Sequence, residues 1–347
     1  MAVEITEKSQ LASQFVNSTN RHVFLTGKAG TGKTTFLKEF AQNTHKSHVI
    51  VAPTGVAALN ANGTTIHSQF LLPLGAFVPG QNAPAEFESH AQFFTQTTLA
   101  RRNPLNAKRK EVLRNLDLLI IDEVSMLRAD ILDAVDYRLK AAKRNFNQPF
   151  GGVQLLMIGD MHQLPPILRD QERAVLRSYY GSAHFFESQA LRQSGMVFIE
   201  LDKVFRQQNE TFIRILNNLR DNKISPADIE ELNKRFDPNA EAEDDVVTLT
   251  THNKTADEIN QNKLNALQSK EHMFAADVED DFPERIYPVP ERLILKEGAQ
   301  IMFVKNDTRD GMYYNGKLAK VTEIGEDGVF VRFNDDGETY ELREEVW

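Results

Sequence analysis

One glycine-rich segment constrains the fold of this chain more than any other feature, and it reads Gly27-Lys28-Ala29-Gly30-Thr31-Gly32-Lys33-Thr34. It has the form G-x-x-x-x-G-K-[ST], a loop that binds nucleotide phosphates between a strand and a helix. Residues 22–26 before it are typical of a short buried strand, and Phe36, Leu37 and Phe40 after it share one helix face. This order directs backbone N–H groups and a positive helix end toward an anion, which a chance glycine turn would not do. The segment therefore predicts that the chain binds a nucleoside triphosphate.

Within this segment, Lys33 is expected to reach the β- and γ-phosphates and the Thr34 hydroxyl to hold Mg²⁺. The residues that we expect to bind the nucleotide here are Gly27, Ala29, Gly30, Thr31, Gly32, Lys33, Thr34 and Thr35.

Composition places the chain among ordinary globular proteins. Its 347 residues, of which 41% are hydrophobic and 26% charged, are enough for two or three domains. It has no cysteine, which excludes disulfides, thiolate zinc sites and cysteine catalysis. The sequence has no run of roughly 20 apolar residues and no signal-peptide pattern at its start. We therefore expect a cytoplasmic protein that does not contact a membrane.

The charge is unevenly distributed along the sequence. A net charge of −9 argues against coating nucleic acid by bulk electrostatics, but it does not exclude a local basic groove. Residues 241–245 form an acidic run, which we interpret as a solvated face. A basic cluster, for which a solvated face is the plain alternative, comprises Arg101, Arg102, Lys108, Arg109, Lys110 and Arg114.

Further strands follow the phosphate loop at the spacing of an α/β protein with a parallel sheet. The predicted strands are Val49–Ala52, Leu118–Ile121, Gln154–Ile158 and Val197–Leu201. Lys33, Thr54, Asp122, Glu123 and Asp160 all follow strand ends, where ligands bind in open α/β sheets. Because these five residues all follow strand ends, the sequence predicts that they belong to one site.

The Asp122-Glu123 pair is interpreted as catalytic. Asp122 is expected to bind Mg²⁺ through water, and Glu123 to orient and activate the water that attacks the phosphate. The alternative is a pair of acidic residues that only favours a helix N-terminus.

The sequence pattern of the rest of the chain indicates three further parts. Residues 71–105 read as a small irregular insertion. A second α/β block begins at residue 201 and includes a predicted strand at Val246–Thr250. Short β-like runs separated by Asn-Gly and Asp-Gly turns from residue 306 onward indicate a small barrel. We predict a first domain over 1–200, a second over 201–305 and an SH3-like insertion over 306–347.

Several motifs together make the chain resemble the superfamily 1 DNA helicases of the PIF and RecD-like group, and the PIF family most. They are the phosphate loop and the segments Ala52–Ala58, Gly63–Ser68, Ile121–Met126, Gly159–Pro166 and Leu201–Arg220. The sequences Gly-Asp-x-x-Gln-Leu-Pro-Pro and Val-Phe-Arg-Gln within them are specific to that group. The resemblance extends over nearly the whole chain.

The resemblance implies RecA-like P-loop domains that bind ATP and Mg²⁺ between them and move 5′-to-3′ along single-stranded DNA. It implies that Gln10 reads adenine, that Gln163 senses the γ-phosphate and that Arg206 is an arginine finger. Lys33, Asp122, Glu123, Gln163 and Arg206 are then the catalytic set. The strand path that it implies comprises Pro53, Thr54, Gly55, Val56, Thr64, His67, Ser68, Pro166, Thr251 and Asn253. Expected partners are single-stranded and tailed duplex DNA, bound by a monomer.

The sequence departs from the family in one respect. The last two helicase motifs, roughly Ile-His-Lys-Ser-Gln-Gly and Ala-Leu-Ser-Arg, do not occur in it. We therefore expect an N-terminal portion of a longer protein, with the second domain incomplete. Two alternatives stay open, namely a P-loop ATPase that switches a protein partner and a DNA-binding fragment without efficient turnover.

Overall fold

The structure is a computed structural model that describes residues 6–80, 93–205, 209–238, 246–278, 289–305, 307, 309–314, 316–326 and 328–345. It divides into two compact units, Met1–Glu231 and Leu232–Trp347. The domain boundaries that we predict at 200/201 and 305/306 stay predictions.

The first unit is an α/β structure. Its strands are β1 (Val23–Gly27), β2 (His48–Ala52), β3 (Thr64–Thr65), β4 (Ala76–Phe77), β5 (Phe93–Phe94), β6 (Leu118–Ile121), β7 (Gln154–Ile158) and β8 (Val197–Leu201). Its helices are α1 (Glu7–Ser18), α2 (Lys33–Asn43), α3 (Gly55–Asn60), α4 (Ile66–Phe70), α5 (Gln96–Arg102), α6 (Ala107–Arg114), α7 (Ala129–Lys143), α8 (Asp170–Leu176), α9 (Gln189–Ser194), α10 (Glu210–Arg220) and α11 (Pro226–Asn233), the last of which runs into the second unit. Short 3₁₀ turns lie at Val124–Met126, Pro149–Gly152 and Phe185–Glu187.

Six parallel strands form the main sheet, in the order β3-β2-β6-β7-β1-β8. The prediction of an α/β fold with a RecA-like parallel sheet is confirmed, and all five predicted strands of the first unit are present. Strand β6 is buried on both faces: Leu119 and Ile121 contribute to the core on one side, and Leu118 and Ile120 to the core on the other. Sheets covered by helices on both faces produce such continuous apolar strands.

The insertion between residues 71 and 105 is more ordered in its described parts than its sequence suggests. Strands β4 and β5 pair in parallel, and α5 begins at a capping box formed by Thr95 and Thr98. The buried guanidinium of Arg138 on α7 donates to the carbonyl oxygens of Leu71, at 3.0 Å, and Asn103, at 2.5 Å. One side chain therefore holds both ends of the insertion.

The second unit contains α12 (Asn253–Ala266), β9 (His272–Ala275), β10 (Arg292–Leu295), β11 (Gln300–Met302), β12 (Leu318–Gly325), β13 (Gly328–Phe333) and β14 (Thr339–Leu342). Strands β11 to β14 form an antiparallel sheet in sequence order, and β9 pairs with β10. Phe303, Tyr313 and Phe333 lie in the core of the larger sheet. Small antiparallel structure at this end of the chain agrees with the sequence pattern.

The prediction of a strand at Val246–Thr250 is wrong. These residues have no regular structure, and Leu249 is 91% exposed. A strand needs a neighbour to satisfy its backbone, and no strand in the described ranges pairs with this segment. No helix among the described residues is long and apolar enough to cross a membrane.

The buried ring of His22 predicts a pH-dependent stability. The Leu155 amide donates to His22 Nδ1 at 3.0 Å, so the ring is held neutral. Burial, and secondarily Arg21, lowers the pKa of His22 from 6.5 to about 4. Since the pKa is lower in the folded state than in the unfolded chain, stability is lost as the pH falls from 6.5 toward 4. The loss amounts to about 3 kcal/mol at about 1.4 kcal/mol per pKa unit.

The variant His22→Asn keeps an acceptor near the Nδ1 position but does not titrate. From pH 7 to pH 4, the free energy of unfolding measured with urea should fall by about 3 kcal/mol more for the native chain than for the variant. Parallel pH profiles for the two proteins would contradict this account.

Candidate nucleotide site

The phosphate-binding loop has the backbone conformation that its glycines allow. Gly30 and Gly32 have φ values of 80° and 83°, which L side chains rarely adopt. Gly27 lies at a close approach, because a Cβ there would be 2.5 Å from Thr31 Oγ1 and 2.7 Å from the Leu201 carbonyl oxygen. Helix α2 starts at Lys33, directly after the loop. The strand, loop and helix that the sequence predicts are therefore present.

The Lys33 ammonium is held by its own loop. Lys33 Nζ donates to the carbonyl oxygens of Gly27, at 2.8 Å, and Lys28, at 3.2 Å. Burial lowers the pKa of Lys33, while the nearby carboxylates of Asp160, Glu123 and Asp122 oppose that shift. The cation thus lies inside a group of acidic side chains at the end of the sheet.

In the carboxylate pair after β6, the side chain of Asp122 is desolvated and the backbone of Glu123 is strained. Burial raises the pKa of Asp122 from 3.8 to about 6, opposed by a hydrogen bond from the Glu123 amide to Asp122 Oδ1 at 3.0 Å. Asp122 makes no ion pair within the described part of the chain. Glu123 has φ 49° and ψ 42°, a left-handed conformation that is uncommon outside glycine and typical of functional sites.

The residue types at this point fit Mg²⁺. Mg²⁺ is usually held by one or two carboxylates together with substrate phosphates and water, and not by a complete protein cage. Asp122 supplies a buried carboxylate, and the half-buried Thr34 supplies a hydroxyl. The described residues hold no cluster of three or more acidic or histidine side chains that could bind a metal alone.

The third element of the site follows β7. Asp160 is buried and accepts from the Gln163 side chain at 3.3 Å and from the His162 amide at 3.1 Å. Arg220, in the last turn of α10, forms an ion pair with the same carboxylate. Asp160 therefore joins Gln163 to a helix that lies 60 residues further along the chain. Arg220 has no role in our sequence interpretation; it is only the last residue of the segment Leu201–Arg220.

Phe205 is a second contact that the sequence does not predict. Its amide donates to the Gly30 carbonyl oxygen at 2.8 Å, and its ring lies 3.6 Å from where a Cβ of Gly32 would be. The segment after β8 is thereby attached to the phosphate loop. Arg206, the predicted arginine finger, is the next residue and lies outside the described residues, so its role stays a prediction.

The residues of the predicted strand path on the first unit follow two neighbouring strands. Thr54 caps α3 and accepts from the Ala57 amide at 3.3 Å, which leaves Val56 exposed. Thr65 caps α4 in the same way, with Ser68 exposed and His67 half-buried. Because β2 pairs with β3, the Pro53–Val56 and Thr64–Ser68 segments lie at the same edge of the sheet.

Four other candidates are not brought into these groups. Gln10 is exposed on α1, and no contact among the described residues joins its side chain to the phosphate loop. Thr251 and Asn253 belong to the second unit and are both exposed. Pro166 is half-buried in the segment after Gln163. Their roles stay predictions.

The Asp160–Arg220 pair predicts a strong coupling. Arg220→Gln leaves a buried carboxylate without its cation and should destabilise the first unit by about 3–5 kcal/mol. The double variant Asp160→Asn/Arg220→Gln removes both charges and should recover most of that loss. The coupling energy is measured by thermal and urea unfolding of the two single variants and the double variant. If the effects of the single variants simply add, the two side chains are not coupled.

Comparison with known proteins agrees with this geometry. The PIF1-like helicase family matches residues 6–230. The ATP-dependent DNA helicase PIF1 of Saccharomyces cerevisiae (strain YJM789) is 33% identical over 317 residues, which cover 87% of this chain and 34% of that protein. This chain spans about a third to a half of the length of the Saccharomyces cerevisiae, human and Psychrobacter relatives.

Solved structures give the same result. The crystal structure of Bacteroides Pif1 bound to single-stranded DNA is similar with a TM-score of 0.83 and 35% identity, over 98% of this chain and 74% of that one. The Bacteroides Pif1 complex with ADP-AlF3 and single-stranded DNA has a TM-score of 0.82 and 35% identity, over 97% and 74% of the two chains. The family match covers well over half of this chain and includes every motif of the nucleotide site, and the chain belongs to the PIF1-like helicase family.

Proposed function

We propose that this chain is the ATP-binding and strand-binding part of an ATP-dependent DNA helicase, which couples ATP hydrolysis to 5′-to-3′ movement and duplex unwinding. One observation carries the proposal. The three nucleotide motifs follow β1, β6 and β7, which are adjacent in the sheet, and the two strand-path motifs follow the neighbouring β2 and β3. Since all six strands are parallel, both groups lie at the same edge, where a nucleotide can act on a bound strand.

The proposed chemistry uses the side chains at the strand ends. Lys33 binds the β- and γ-phosphates, while Thr34 and Asp122 hold Mg²⁺, Asp122 through water. Mg²⁺ neutralises the charge of the phosphate oxygens when bound. Glu123 orients and activates the attacking water, Gln163 contacts the γ-phosphate, and Arg206 stabilises the charge that develops in the transition state. Gln10 reads the adenine.

The proposed DNA path uses small polar groups. Thr54, Thr64 and Ser68 can donate to backbone phosphates without selecting a base sequence. Val56, His67 and Pro166 offer packing surface to the strand, and Thr251 and Asn253 continue the path on the second domain. Closure of the domains on ATP and reopening after hydrolysis would move the chain along the strand. We propose a cytoplasmic monomer that acts on single-stranded and tailed duplex DNA.

The ligands in the similar solved structures support this proposal. Among the similar Bacteroides Pif1 structures, one contains single-stranded DNA, one contains ADP-AlF3 with single-stranded DNA, and one contains ADP-AlF4. Another similar structure is described as DNA unwinding at forked double-stranded DNA by two coordinating Pif1 helicases.

DNA-stimulated ATP hydrolysis separates the candidate functions. The helicase proposal requires hydrolysis that rises with single-stranded DNA and falls when Mg²⁺ is removed. A P-loop ATPase that switches a protein partner would hydrolyse ATP without responding to DNA. A DNA-binding fragment would bind the strand without turnover. Hydrolysis and DNA affinity measured on the same preparation of the full chain decide among the three.

Lys33→Ala should remove turnover and leave strand binding almost intact. Loss of one preorganised cation at the phosphates should reduce hydrolysis by at least about 100-fold. Affinity for single-stranded DNA without nucleotide should change by less than about threefold, since the two groups of residues follow different strands. A well-folded variant that loses DNA affinity to the same degree would show that the sites are not separate.

Arg206→Ala should slow hydrolysis much more than it weakens ATP binding. Charge develops on the γ-phosphoryl group mainly in the transition state, and an arginine finger contributes about 10³–10⁵ in rate. Single-turnover hydrolysis and nucleotide affinity are measured together, with Arg177→Ala as an exposed arginine control directly after α8. If affinity falls as much as the rate, Arg206 contacts the ground state and is no arginine finger.

A further inference from the structure

Two consecutive helices of the first unit carry a concentrated positive charge that the proposed function does not use. Residues 96–116 contain six basic residues and one acidic residue, in a protein whose net charge is −9. Five of the basic side chains are exposed, and no ion pair joins any of them to another described residue. We name these five the basic surface: Arg101, Arg102, Lys108, Lys110 and Arg114.

The basic surface stands on a rigid base. The leucines of the same segment are fully or nearly fully buried in the main core, namely Leu99, Leu105, Leu113 and Leu116. Arg138 donates to the Asn103 carbonyl oxygen between the helices, and Lys143 Nζ donates to the Arg114 carbonyl oxygen at 3.0 Å. Lys143 brings a further ammonium to the end of α6. Charges of one sign are therefore held together, which is unfavourable for folding without a partner.

The sixth basic residue connects this surface to the proposed strand path. Arg109 is half-buried, and its guanidinium donates to the Ser68 carbonyl oxygen at the end of α4. His67 and Ser68 lie on α4. Helix α6 thus lies beside the point where the strand path on this unit ends.

The residue types indicate which nucleic acid would fit. Surfaces that bind single strands combine positive charge with aromatic rings on which bases stack. Residues 96–116 contain no aromatic residue, so they offer contacts to phosphates only. Duplex DNA presents the densest array of phosphates, about one charge per 1.7 Å, with its bases stacked inside. Charge without stacking surface therefore favours a duplex over an extended single strand.

We propose that the basic surface binds the phosphate backbone of the duplex part of a tailed DNA while the tail occupies the strand path. The proposal rests on the proposed DNA-binding function and adds to it a second, sequence-independent DNA contact.

The test compares two variants of equal charge. K108Q/K110Q/R114Q removes three cations from the basic surface, and R173Q/R177Q/K223Q removes three exposed cations elsewhere on the first unit. Binding to a 5′-tailed duplex and to a single strand identical to the tail is measured over a range of salt concentrations. Thermal unfolding checks that both variants fold, as exposed substitutions normally allow.

We expect the basic-surface variant to bind the tailed duplex about tenfold more weakly near 0.1 M salt. Its plot of log affinity against log salt should be shallower by about 2–3, since each lost phosphate contact contributes about 0.9. Its affinity for the single strand, and both affinities of the control variant, should stay within about twofold of the native chain.

Three results would overturn the proposal. Equal weakening on both DNAs would assign the surface to the single-strand path. If the basic-surface variant binds both DNAs as the native chain does, the basic surface is only a solvated face. If the control variant weakens binding to the same degree, the effect comes from net charge and not from this surface. The proposed function fails separately, if the native chain neither binds the single strand nor is stimulated by it.

Discussion

Burial of the central strands on both faces is the constraint on which the rest of this structure depends. Every residue of β1, β6 and β7 is buried, so these strands have no free surface on which a polar side chain could act. Chemically active groups are therefore confined to the strand ends. Because the strands are parallel, the ends with Lys33, Asp122 and Asp160 fall at one edge. The apolar strands thus bring the residues of the candidate nucleotide site to one edge of the sheet.

Helix α7 links this site to the rest of the first unit through buried polar side chains. Asp130 accepts from the Phe77 amide, Asp136 accepts from the Phe150 amide, and Asp133 accepts from the hydroxyls of Tyr180 and Ser188. Arg138 holds the two ends of the insertion. Each of these groups satisfies backbone or hydroxyl groups that would otherwise be buried without a partner. The helix begins only a few residues after Glu123, so irregular segments are attached to the same rigid element that follows the carboxylate pair.

The sequence predicts the parts of the site that lie close together along the chain. The phosphate loop and the strands before Asp122 and Asp160 are short patterns with a direct physical cause, and all are present. Helix α5 carried a comparable signal in Thr95 and Thr98, which our interpretation of the insertion as irregular missed. The strand predicted at Val246–Thr250 had the right propensity but has no strand beside it in the described structure, and propensity alone cannot supply one.

Contacts between distant segments could not be predicted in this way. Arg220 and Asp160 are 60 residues apart, and an arginine in the last turn of an amphipathic helix is normally solvated. Arg138 lies among buried residues of α7, and its guanidinium donates to two carbonyl oxygens with no carboxylate partner among the described residues. Burial lowers its pKa to about 10, still high enough to keep it charged at neutral pH. Tertiary structure, not local pattern, makes both of these arginines structural.

The state of Lys33 shows how such a site is prepared for a phosphate. Its ammonium donates to two carbonyl oxygens of its own loop, and burial disfavours its charge. Burial also disfavours the charge of Asp122: it raises the pKa of this carboxyl, and the nearby Lys33 opposes that shift only in part. A phosphate that accepts from Lys33, together with a divalent cation at Asp122, would relieve both penalties at once. Lys33 and Asp122 are therefore an interacting cation and anion that burial disfavours, and a ligand with complementary charges would lower the cost of burying them.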